Sequence, residues 1–193
     1  MLRILAVVVG VTASLFAATA NAQAQAQLLS ESRETATSLL QQLSMRLRAT
    51  LAENGPEGSV PVCKTVAPEL AGKLSRETGW RVARVSLRTR NPLLGTPDAW
   101  EQRILEEFDR RAAAGDKPET LEFDEVVNEP AGRYFRYLKA IPVSALCVTC
   151  HGPRDQLSPF IQEQLRSDYP HDKAVGYSPG QIRGAVTIKR PLE

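Results

Sequence analysis

The motif that most constrains this chain is Cys147-Val-Thr-Cys150-His151, near the C-terminal end of a 193-residue sequence. Two thiols and an imidazole within five residues occupy little more than one helical turn, so the fold must bring all three to one site. Three kinds of chemistry use such a cluster: metal binding, dithiol oxidation and reduction, and covalent attachment of haem. The compartment and the remaining residues of the chain distinguish them.

The N-terminus has the features of a secretory signal peptide. Arg3 precedes the apolar run 4–18, which is followed by the small residues of "TANA", so we expect cleavage after Ala22. The run is shorter than the roughly 18 to 20 apolar residues that a retained membrane anchor needs. We therefore expect export to the periplasm and no membrane attachment after cleavage. The Ala- and Gln-rich segment 23–29 predicts a flexible N-terminus.

The size and charge of the remaining chain indicate one domain and exclude some partners. Removing 22 of the 193 residues leaves 171, which suits a single domain over 30–193. The whole chain has 24 basic and 22 acidic residues. This near balance gives no electrostatic basis for binding nucleic acid or an anionic membrane. The partner must therefore be argued from the motif.

The apolar pattern predicts an α+β fold. Apolar residues at steps of three and four predict helices over 30–53, 59–78, 96–114 and 156–166. Alternating apolar residues predict strands over 80–88, 120–127, 132–143 and 183–190. Pro68 predicts a kink in the second helix, and Thr96 is the predicted cap of the third. A short antiparallel sheet flanked by helices, with a long N-terminal helix, follows from this pattern.

The position of the motif favours haem attachment over the other two chemistries. Thioredoxin-like dithiols lie early in a chain, at the start of a helix after a first strand, whereas this motif follows a late strand. Neighbouring zinc ligands usually leave two residues between them, although Cys63 would supply a fourth ligand for a structural zinc module. In an exported protein, Cys147 and Cys150 are expected to carry the thioethers of one haem c, and His151 to ligate the iron.

The second axial ligand is left open by these residues. Met45 lies off the apolar stripe of its helix, and His171 lies in a polar, Pro-containing loop. Cys63 is a third cysteine in an oxidising compartment, where it would be either an inert core residue or a thiolate ligand.

Pocket residues can also be suggested from the strand 132–143. Phe135, Tyr137 and Ile141 share one face of this strand and are candidates for the pocket wall, although core packing explains Phe135 and Ile141 as well. Guanidinium groups bind carboxylates through paired hydrogen bonds, so the candidates for binding the haem propionates are Arg88, Arg90 and Arg136.

Four segments, in order, resemble an exported PAS-like family of c-type haem proteins. They are "VCKTVAPELA" (62–71), "VSLRTRNPLLGTPDAWE" (85–101), "YFRYLKAIPVSALCVTCHG" (134–152) and "YPHDKAVGYSPGQIRGAVTIK" (169–189). The resemblance implies a PAS-like α+β fold and a haem ligated by His151 and, through the "VCK" segment, by Cys63. Members of this family occur alone and as sensory parts of membrane-bound signalling proteins.

Two functions follow from this ligand set. A thiolate ligand favours Fe(III) and weakens on reduction, so release of Cys63 would open a site for NO, CO or O2 in a redox or gas sensor. The alternative is a soluble electron-transfer cytochrome that passes electrons to a periplasmic partner. No residues are placed for catalysis beyond the iron, so we do not expect an enzyme.

Overall fold

The computed structural model describes the backbone of residues 5–192 and the side chains of residues 22–192. The helices are α1 (Leu5–Asn54), α2 (Ser59–Pro61), α3 (Ala67–Thr78), α4 (Pro92–Gly95), α5 (Ala99–Ala113), α6 (Val148–His151) and α7 (Pro159–Asp168). The strands are β1 (Arg81–Val85), β2 (Glu122–Glu129), β3 (Gly132–Pro142) and β4 (Ile182–Leu192). A π-helical turn, Val62–Val66, joins α2 to α3.

The four strands form one antiparallel sheet in the order β1-β4-β3-β2. Strands β2 and β3 form a hairpin, since Glu129 pairs with Gly132 across a two-residue loop. The last strand of the chain, β4, lies between β1 and β3 and completes the sheet. The predicted α+β class, with an antiparallel sheet flanked by helices and a long N-terminal helix, is confirmed.

Each face of the sheet packs against different helices. On one face, α1 and α3 bury Leu39 and Leu74 against Phe135 and Ile188. On the other face, α5 buries Phe108 in a separate apolar cluster with residues of β3 and β4. The sheet therefore divides the interior of the molecule into two cores.

The N-terminal helix includes the segment that we predicted to be flexible. Residues 23–29 lie within α1, because Ala and Gln both favour helix and because Leu28 and Leu29 pack against the first core. The predicted signal peptide, 1–22, lies outside the residues whose side chains are described, apart from Ala22. No helix formed by the described residues has both the length and the apolar character needed to cross a membrane.

The predicted kink near Pro68 takes the form of the π-helical turn. Proline has no N–H, so the carbonyl of Lys64, four residues earlier, loses its α-helical donor. The widened turn instead bonds the N–H of Ala67 to the carbonyl of Val62. Turns of this kind are frequent at functional sites, and this one carries Cys63.

Helix α5 begins later than predicted. Thr96 does not cap it, because its hydroxyl donates to the carbonyl of Pro92 and closes α4. Asp98 is the cap: its carboxylate accepts the N–H of Glu101 at 2.8 Å, and the Glu101 carboxylate accepts the N–H of Asp98 at 2.9 Å. This reciprocal capping box is a stronger helix start than a single threonine hydroxyl.

Candidate functional site

A cavity of about 440 Å³ lies between α1, the α2–α3 segment, β1 and the cysteine motif. The wall formed by α1 consists of four leucines at helical spacing: Leu40, Leu43, Leu47 and Leu51. Part of the apolar stripe of α1 therefore faces the cavity, which gives a pocket suited to a largely apolar ligand.

The motif supplies three residues to this cavity: Cys147, Cys150 and His151. Helix α6 is a single turn, closed by a 2.9 Å hydrogen bond from the N–H of His151 to the carbonyl of Cys147. Each thiol has a hydroxyl neighbour, with Ser144 Oγ 3.2 Å from Cys147 Sγ and Ser59 Oγ 3.5 Å from Cys150 Sγ. Burial raises the pKa of Cys150, so its thiol is protonated at neutral pH.

His151 is held with one ring nitrogen directed into the site. Its Nδ1 lies 2.6 Å from the carbonyl oxygen of Ala174, which can only accept, so Nδ1 donates. Burial, reinforced by the guanidinium groups of Arg183 and Arg90, lowers the pKa of His151 well below 6.5. The ring is therefore neutral, the form of histidine that ligates metals. Its Nε2 carries the lone pair and accepts a long hydrogen bond of 3.4 Å from Arg183 Nε.

The structure distinguishes among the three candidates for the second axial ligand by their positions relative to the cavity. Cys63 lines the cavity from the π-helical turn. Met45 is 63% exposed, and His171 is exposed in its loop; neither lines the cavity. Of these three residues, Cys63 alone is brought to the motif.

One of the three pocket-wall candidates on β3 lines the cavity. It is Ile141, whereas Phe135 and Tyr137, earlier on the same face, are buried in the core beneath α1. Arg136 points to the opposite face, where its Nη2 lies 2.7 Å from Asp98 Oδ2. Strand alternation identified the faces correctly, but it did not locate the cavity along the strand.

Of the three predicted arginines, only Arg90 lines the cavity, and it is already paired. It is 7% exposed and donates to the carbonyls of Cys150 (2.6 Å) and Ala174 (3.2 Å) and to Asp172 (3.3 Å). Arg88 stacks on the ring of Tyr177, 4.1 Å from its centroid, outside the cavity.

Two further arginines that the sequence analysis did not single out, Arg84 and Arg183, line the cavity. Arg84 lies on β1 two residues after the buried Val82, on the same face of the strand, and is partly buried there. Arg183 lies at an irregularity in β4 next to Gly184. A glycine inside a strand is the available signal for such a bulge.

The cavity residues do not form a zinc cluster. Among the side chains of residues 22–192, no three of His, Cys, Asp and Glu converge closely enough to hold a metal ion. A structural zinc site needs four such ligands around one point. Cys147, Cys150 and His151 lie on the turn of α6 and Cys63 lies on the π-helical turn, so the four residues line one cavity from two separate segments.

Comparison with known proteins identifies the family of this chain. A family model described as Tll0287-like matches residues 14–191. The chain belongs to the Tll0287-like family. The matched range of this Tll0287-like chain includes all three cysteines and both histidines. The resemblance to a haem protein family inferred from the sequence is thereby confirmed.

A solved structure gives the Tll0287-like assignment a second basis. The crystal structure of the cyanobacterial heme-protein Tll0287 has 26% sequence identity to this chain and a TM-score of 0.60. The likeness covers 84% of this chain and 96% of that chain. No curated protein matches the sequence.

Proposed function

We propose that this Tll0287-like chain is a periplasmic c-type haem protein that senses redox state or a diatomic gas. The observation that carries the proposal is the convergence of Cys147, Cys150, His151 and Cys63 on one cavity. The solved structure of Tll0287, a haem protein of the same family, supports the same ligand class.

The residues present fit a haem in three respects. The leucines of α1 provide an apolar wall for the macrocycle. Cys147 and Cys150 are one helical turn apart, the spacing that thioether attachment uses. His151 presents Nε2, with Nδ1 engaged by Ala174. When bound, haem would supply an iron that changes oxidation state and binds small gases.

Cys63 is the residue that would make the site a switch. As a thiolate it would be held by Fe(III), and uptake of one electron from a redox partner would weaken that bond. The thiolate would then leave and take up a proton, opening a position for NO, CO or O2. The π-helical turn that carries Cys63 lacks the regular α-helical hydrogen-bond pattern, and the proposal is that this segment moves when the thiolate leaves.

The same turn links the cavity to an ion pair at the surface of the protein. Lys64, beside Cys63, forms a 2.6 Å ion pair with Asp168 at the end of α7. Displacement of the turn would alter this pair, and a periplasmic signalling partner could detect the change. A ligand that binds only the released state would shift the protein towards that state.

The experiment compares visible spectra of the full chain with its Cys63→Ala and His171→Ala variants. The proteins are produced in an exporting host with haem-attachment machinery and measured oxidised, reduced, and reduced under CO. We expect a covalent c-type haem in all three, with ferric Soret and charge-transfer bands altered only by Cys63→Ala. We also expect CO binding by the reduced wild-type protein and a mature N-terminus at Gln23.

The other outcomes separate the alternatives. A c-type spectrum that Cys63→Ala leaves unchanged would contradict the thiolate switch and indicate an electron-transfer cytochrome. Absence of haem from the exported protein, with zinc bound in its place, would contradict the proposal as a whole.

A further inference from the structure

Two arginines in the cavity have no counter-ion. Arg84 and Arg183 both line it, and neither forms an ion pair with any carboxylate among the described side chains. The partners of Arg183 are all neutral: Ser86 Oγ at 2.9 Å, the Arg88 carbonyl at 3.3 Å and His151 Nε2 at 3.4 Å. Arg84 and Arg183 are both partly buried. Charges withdrawn from water are normally paired, so two unpaired cations in one cavity require an explanation.

The charged side chains that line the cavity are all positive. No Asp or Glu of the described residues lines the cavity, whereas Arg84, Arg90, Arg183 and Lys64 do. Arg90 is compensated by Asp172, and Lys64 by Asp168. Burial lowers the pKa of Arg183 to about 10 and also lowers the pKa of Arg84, as expected for cations removed from water. Two positive charges therefore remain uncompensated.

The backbone is adapted to place one of these charges. In the β3–β4 ladder Ile141 pairs with Gly184 and Pro142 with Ile182, so Arg183 is the extra residue of a β-bulge. Gly184 has a φ of +157°, and a Cβ atom there would lie 2.3 Å from the carbonyl oxygen of Val85. Bulges redirect side chains next to functional sites, and this one turns Arg183 into the cavity.

We propose that Arg84 and Arg183 bind the two carboxylates of an otherwise apolar ligand, which on the proposed function are the propionates of the haem. Guanidinium groups bind carboxylates through paired, charge-assisted hydrogen bonds, and two such groups match two propionates in charge. The assignment replaces Arg88 and Arg136, which lie outside the cavity, and Arg90, which is occupied by Asp172.

The first test uses the haem-loaded full chain and resonance Raman spectroscopy of the propionate bending modes, which respond to hydrogen bonds on the propionates. We expect these modes to shift in Arg84→Gln and in Arg183→Gln. The matched control Arg88→Gln, a cavity-external arginine, should leave them in place. Unshifted modes in both cavity variants would overturn the proposal, although haem would still be bound.

The second test measures whether the full chain binds a porphyrin with free carboxylates more tightly than the ester of the same porphyrin. Haem-free protein is titrated with iron mesoporphyrin, whose ethyl groups cannot form thioethers, and with its dimethyl ester. We expect wild type to bind the diacid at least about tenfold more tightly. Arg84→Gln and Arg183→Gln should reduce this preference, whereas Arg88→Gln should retain it.

The outcomes distinguish this proposal from the proposed function. Equal binding of diacid and diester by wild type would overturn the carboxylate assignment while leaving haem binding intact. If neither porphyrin bound, and if the exported chain also carried no haem, both proposals would fail. The wild-type comparison keeps the test decisive even if a variant does not fold.

Discussion

The orientation of His151 depends on a neighbour that the sequence analysis passed over. The Asp172 carboxylate accepts the N–H of Ala174 at 2.8 Å and pairs with Arg90 at 3.3 Å. The Ala174 carbonyl, fixed in this way, accepts the Nδ1–H of His151. Asp172, with a side chain only 3% exposed, is therefore a positioning residue for the imidazole.

Replacing Asp172 by asparagine should weaken this arrangement. Asparagine keeps the size and one acceptor oxygen but leaves the buried Arg90 without a counter-ion. We expect the free energy of unfolding to fall by about 2–3 kcal/mol. Urea denaturation measures the loss, and the spectrum of the haem-loaded variant reports altered histidine ligation. Asp155→Asn, the same substitution at an exposed position, is the control; equal stability of the two variants would contradict this role.

The residues of the site differ in how far sequence could identify them. Cys147, Cys150 and His151 were predictable, because five consecutive residues carry the whole signal. Arg84 and Arg183 were not, because an arginine on a strand has the same local pattern whether water or a cavity faces it. Enclosure of a side chain is decided by the packing of distant elements, which alternation along one strand does not report.

At the scale of elements, the bulge in β4 is the feature that places a cation beside the motif. Gly184→Ala should destabilise the protein by more than about 2 kcal/mol, because the new Cβ would collide with the Val85 backbone. Gly72→Ala provides the contrast, since this glycine is helical and meets only the flexible Arg76 side chain. That change should be neutral or slightly stabilising. Equal thermal denaturation midpoints would show that the bulge tolerates a side chain.

Most elements were predictable because their apolar periodicity is strong. All four strands and the main helices fall where the pattern placed them, and most boundaries are shifted by a few residues. The start of α1 is different, because this helix begins at Leu5 and was predicted to begin at Ser30. The exceptions have local causes: the capping box at Asp98 outcompetes Thr96, and Pro68 converts one turn into a π-helical turn. The insertion of β4 between β1 and β3 was not predictable. Alternation of apolar residues indicates which face of a strand is buried, but it does not indicate which strands pair with it.

At the scale of the molecule, the sheet separates the cavity from a network of charges on the α5 face. Glu101, which is fully buried, lies 3.2 Å from Arg136 and 2.9 Å from Arg81. Asp98 joins this network through Arg136, and Thr187 donates to Glu101 at 2.7 Å. None of these residues lines the cavity, so the stability of the α5 face and the chemistry of the motif should respond to different mutations.

Asp98 gives this separation a pH-dependent test. Burial raises the pKa of Asp98, but the hydrogen bonds from Arg136 and from the Glu101 backbone outweigh it and hold the pKa below 3.8. A lowered folded pKa contributes stability that is present above about pH 4 and is lost as the pH falls through the folded value. Asp98→Asn removes this contribution while keeping a side chain that can cap α5.

We therefore expect Asp98→Asn to be less stable than wild type by about 1 kcal/mol at pH 7, with the difference disappearing towards pH 2. Urea denaturation across this range measures the effect, with Glu163→Gln, in an exposed ion pair, as a control of unchanged stability. Because the sheet lies between Asp98 and the cavity, the visible spectrum of the haem-loaded variant at pH 7 should equal that of wild type. A stability difference that persisted at pH 2 would show that Asp98 acts through capping geometry and not through its charge. An altered spectrum would show instead that the two faces of the sheet are coupled.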